Sequence, residues 1–151
     1  MDGKSDMECT VQWLGGDGMG FVATTGSGHL LAMDGAPPAR AGEPGGHNLA
    51  PRPMETVLAG AGGCSAYDVV YILKKGRHDV RGCSVKLQAE RASEDPKVFT
   101  KIHLHYTVSG RGLKPEAVAR AVELSHEKYC SASAMLAKTA TLSSSFDVVE
   151  V

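Results

Sequence analysis

The chain lacks an excess of charge of either sign. Its 151 residues carry 16 Lys and Arg against 17 Asp and Glu, a formal net charge of -1. No basic stripe gathers on any segment, which removes the electrostatic case for a nucleic-acid partner. An apolar leader is also missing: residues 1–6 read MDGKSD, without the hydrophobic centre of a secretion signal. No run reads as long and apolar enough to span a bilayer. No membrane partner is expected, and the expected compartment is the cytoplasm. Cys-x-x-Cys is absent as well. The four cysteines stand at 9, 64, 83 and 130, a spacing that suits neither a zinc knuckle nor a thioredoxin-type motif. Cytoplasmic thiols stay reduced unless their work is redox.

What is present reads as one domain, residues 1–151, with the 42% hydrophobic and 22% charged content of an ordinary globular chain. Short strands are expected at Glu8–Leu14, Phe21–Thr24 and His29–Met33, separated by glycine turns. Asp34–Pro53 then holds five of the seven prolines, a loop long enough to suggest a lid or binding segment. Pro53 opens a helix that Lys74, Lys75 and Gly76 close. Its stretch Thr56–Tyr67 has no charge, and glycines stand at 60, 62 and 63. These features predict a central helix buried on all sides and closely approached by another backbone. A hairpin through Cys83–Ala89 and Val98–Val108 follows, then a helix from Pro115, a break at Tyr129–Ser131, a short helix and a last strand from Thr141. That order is α+β.

Two cysteines attract chemistry. Cys64 sits within the uncharged helix, where a free thiol also serves as a small hydrophobe. Cys130 follows one helix end and precedes the next helix start, where backbone amides lower a thiol's pKa. Cys9 and Cys83, on alternating strands, read as packing. His103 and His105 read as solvent-facing strand residues with no metal role.

The segment Pro53–Ser65, followed by Asp68-Val69-Val70 and Lys75-Gly76-Arg77, resembles the OsmC/Ohr family of thiol peroxidases, and Glu127–Ser131 supports the same match. Within the family the chain is most similar to the YhfA-like branch, from about Trp13 to Val151. The resemblance implies an OsmC-like fold: an antiparallel sheet with a buried central helix, in an intertwined homodimer whose active sites lie at the subunit interface. It implies Cys64 as peroxidatic and Cys130 as resolving cysteine, with a small-molecule hydroperoxide as substrate and an external dithiol as reductant. No cofactor is required. Family members carry a glutamate directly after the helix-opening proline, bound to an arginine. Here Met54 holds that place and Glu55 comes one later, about 100° round the helix. Glu55 is thus either the catalytic carboxylate or an N-terminal dipole residue, and its arginine is Arg40, Arg52 or absent. Ser131 stands where the family places proline. An apolar approach formed by Met54, Leu58 and Met135 would favour organic hydroperoxides. The alternative is a catalytically weak OsmC-like dimer, a stress or ligand-binding protein, or a redox sensor.

Overall fold

The computed structural model of the protein describes Met7–Val151; the leader reading of residues 1–6 lies outside them. The chain forms two compact units that divide between Val57 and Leu58. The first holds the strands β1 (Cys9–Trp13), β2 (Phe21–Thr25) and β3 (Leu30–Met33), an antiparallel meander in the order β1-β2-β3. Gly15 and Gly16, with φ of 81° and 75°, supply the left-handed backbone that the first turn demands. The proline-rich loop is not loose. Asp34 is buried, and its carboxylate accepts N–H bonds from Gly35 at 2.7 Å, His47 at 3.2 Å and Leu49 at 3.0 Å. Those bonds hold its pKa below the usual carboxylate value.

Helix α1 (Pro53–Lys75) runs on from there into the second unit. It is followed by β4 (Asp79–Arg91), β5 (Phe99–Arg111), α2 (Pro115–Leu124), a π-helical turn (Ser125–Tyr129), α3 (Ser131–Leu136) and β6 (Thr141–Glu150). β5 is the centre of a three-stranded sheet. Its alternate residues Ile102, Leu104, Tyr106 and Val108 are buried, as the period of a strand dictates. Together with Val69 and Leu73 of α1 and Val118 and Ala121 of α2 they make the core.

Three expectations need correction. The sheet is mixed: β4 pairs antiparallel with β5, but β6 pairs parallel with it. The chain between β5 and β6 is helical, and such a crossover returns a strand in the same direction. Helix α1 is buried on one face only, through Ala61, Gly62, Ser65, Val69 and Leu73. Val57, Tyr67 and Tyr71 are exposed, because the second unit supplies a single sheet for its part of the helix to pack against. Third, α1 is long and apolar enough, by length and composition, to cross a membrane. The uncharged run is short, but Val69–Leu73 extends it beyond Asp68. Its Ser65 is nevertheless tied by side-chain hydrogen bonds to Tyr106 and Ser125, as in a helix packed against protein. Cys9 corrects another reading, since it is exposed rather than packed.

Candidate active site

Cys64 reaches the site from the middle of α1, and Cys130 from the break between the π turn and α3. The two side chains are neighbours, close enough for the Cys64 thiol to perturb the titration of Cys130, and both thiols are free. Cys130 is buried, at 3% exposure, while Cys64 is half-buried. Cys130 has extended backbone (φ -77°, ψ 100°) and is the N-cap of α3. Its sulfur takes the part that a serine or aspartate oxygen usually plays. It accepts from the Ser133 N–H at 3.4 Å and from the Ser133 hydroxyl at 3.1 Å. The amide anticipated from sequence is therefore there, and it does lower the pKa, but burial outweighs it and the Cys130 thiol titrates above its ordinary value. The neighbouring Cys64 thiol raises it further. Cys130 keeps its proton at neutral pH.

Beneath the pair lies a polar chain buried in the core. Ser65, the residue after Cys64, bonds the Tyr106 hydroxyl and, at 2.8 Å, the Ser125 hydroxyl. Ser125 donates to Asp68 Oδ2 at 3.1 Å, and Tyr106 meets His126 Nε2 at 2.9 Å. One proton assignment lets every hydroxyl donate once and accept once: His126 Nε2–H to Tyr106, Tyr106 to Ser65, Ser65 to Ser125, Ser125 to the Asp68 carboxylate. Burial pushes the Tyr106 phenol up to about 12 and the His126 imidazole down. Neither is charged at neutral pH.

Two grooves flank these residues. One, of about 480 Å³, is lined by Gly63, Ala66, Tyr67, Val70, Lys74 and Cys83, and Cys64 is not among its lining residues. Met135 is not among its lining residues and stands exposed. The other, of about 710 Å³, has His126, Ser133, Glu123, Glu127 and Phe146 among its lining.

The sequence pattern of the OsmC-like protein family matches residues 45–145, a span that contains both thiols. The chain belongs to the OsmC-like family. Protein YhfA of Escherichia coli K12 is 50% identical over 143 residues, covering 95% of this chain and 98% of that one. Among solved structures, a hypothetical protein of Aquifex aeolicus matches with TM-score 0.79 and 30% identity, over 98% of this chain and 99% of that one. The organic hydroperoxide resistance protein OhrB of Bacillus subtilis matches with TM-score 0.59 and 19% identity, over 95% and 98%. This last likeness is one of fold.

For an OsmC-like protein, the remaining candidates fall unevenly. Glu55 accepts the N–H of Arg52 at 3.0 Å, and so closes the start of α1 in the manner of a helix-dipole residue. Arg40 and Arg52 are exposed, and neither forms an ion pair with Glu55 among the described residues. Cys83 is half-buried, which raises its pKa. The β5 histidines have partners that their own neighbourhood in sequence did not show. His103 bonds Ser143 and Ser145, and His105 bonds Ser145 and Asp147 of β6, the last at 2.9 Å. Sequence reasoning missed Ser65, Tyr106, Ser125 and His126 as a unit. A signal existed: Ser65 falls on the apolar stripe of α1 and Ser125 continues that of α2 into the π turn, where a lone hydroxyl must find a partner.

Proposed function

We propose that the chain is a thiol-dependent peroxidase that reduces organic hydroperoxides through Cys64 and Cys130. The observation that carries this reading is the proximity of two free thiols, Cys64 and Cys130, from distant parts of the chain. The organic hydroperoxide resistance proteins that share the fold support it. Cys64, as thiolate, attacks the distal peroxide oxygen; the O–O bond breaks, an S–O bond forms, and the alkoxide leaves as alcohol after taking a proton. Cys130 then attacks the sulfenic sulfur. Its own proton, which burial keeps in place at neutral pH, departs with the hydroxyl as water. An external dithiol reduces the resulting disulfide by exchange and is itself oxidised.

The protein works as a homodimer in the cytoplasm in this account. The exposed Val57, Tyr67 and Tyr71 of α1 support a partner, as do Gly60 and Gly63, where an added Cβ would meet nothing within 4 Å. The reading is tested by following loss of an organic hydroperoxide with excess dithiothreitol. Turnover that disappears in Cys64→Ser supports it, whereas equal turnover in that variant removes it. A second reading, a redox sensor or catalytically weak dimer, is favoured by the engagement of Glu55 at the helix start. It predicts disulfide formation without sustained turnover.

A further inference from the structure

One residue is bonded to both cysteine segments. Ser125 is fully buried and opens the π turn. Its carbonyl accepts the N–H of Cys130 at 2.7 Å, the i to i-5 bond that widens the turn and sets where Cys130 leaves it. Its hydroxyl bonds Ser65 Oγ at 2.8 Å, and Ser65 is joined by a peptide bond to Cys64. The Asp68 carboxylate, 3.1 Å away, accepts the Ser125 O–H and so leaves the hydroxyl oxygen to accept from Ser65. The path from one cysteine to the other through Ser125 thus contains two hydrogen bonds. Tyr106 makes a second, longer path from Ser65 to His126 of the same turn, but it lacks the backbone bond by which Ser125 holds Cys130 itself.

We propose that Ser125, through its bond to Ser65, is the positioning residue that fixes the spacing between the Cys64 and Cys130 sulfurs. It rests on the dithiol reading above and adds what sets the competence of the pair. Ser125 touches neither sulfur nor substrate in this role. It raises the effective concentration of one thiol at the other, and hence the stability of their disulfide relative to the open dithiol.

The test is the equilibrium between dithiol and disulfide in graded reduced and oxidised dithiothreitol, read by alkylation and mass, which needs no peroxidase activity. Ser125→Ala and Ser65→Ala remove the same bond from its two ends, so either serves if the other fails to fold. Tyr106→Phe removes buried hydrogen bonds but spares that link. Both serine variants are expected to lower the Cys64–Cys130 disulfide constant about tenfold, a potential about 30 mV less reducing, with Tyr106→Phe within about threefold of the parent. Serine variants indistinguishable from the parent, or a Tyr106→Phe shift as large as theirs, would overturn the assignment. A parent chain that forms the disulfide in this buffer but never with hydroperoxide would remove the peroxidase reading and leave this one standing.

Discussion

The Tyr106 hydroxyl and His126 Nε2 share a 2.9 Å hydrogen bond at the edge of the core, and burial holds the His126 pKa below its ordinary value. A depressed histidine binds fewer protons folded than unfolded, so stability rises with pH across the interval between its two pKa values. The stabilisation is present above the unfolded value of about 6.5 and is lost as pH falls towards the folded one. Melting temperature is therefore expected to fall between pH 7 and pH 5, with a shallower slope in His126→Gln. Parallel slopes would show that His126 titrates as in solution.

Tyr106→Phe should cost about 1–2 kcal/mol, because it leaves the shape of the core intact but removes a hydroxyl bonded to both Ser65 and His126. Denaturant unfolding measures it. A neutral substitution would mean that the hydroxyl contributes nothing net.

The bare face of α1 gives a prediction whose sign separates two pictures. In the single chain an added methyl at Gly60 or Gly63 meets open space. Helix propensity alone then predicts a gain of up to about 1 kcal/mol for each alanine. If a second copy covers that face, the methyls intrude instead. The double variant Gly60→Ala, Gly63→Ala is expected to weaken self-association by tenfold or more in sedimentation equilibrium. A raised melting temperature with unchanged mass would place that face in water.

Cys130 should alkylate slowly with iodoacetamide up to pH 9, because its thiol is buried and its pKa is raised. In Cys64→Ser the delay should persist, since burial is the largest cause. Fast alkylation near neutral pH in that variant would show that the Ser133 bonds outweigh burial.

Much of the fold was written in local signals. Pro53 and Gly76 bracket α1 as observed. The alternation of β5 from Ile102 to Val108 is the buried face of a strand. Cys64 and Cys130 stood out because each is a thiol at a place that packing alone does not explain. The rest was not local. The parallel return of β6 depends on the crossover, and the one-sided burial of α1 depends on what surrounds it. The link from Ser65 to Ser125 joins residues 60 positions apart, and nothing in either neighbourhood names the other. The offset of Glu55 was visible, but the bond that engages it required the geometry of the helix start.

The most direct test is the mass of the intact protein, with peptide mapping, after one equivalent of an organic hydroperoxide such as cumene hydroperoxide. Loss of two hydrogens, located to a bond between Cys64 and Cys130 and absent from the Cys130→Ser variant, is the predicted result. Unmodified thiols, or oxidation confined to Cys9 and Cys83, would contradict it.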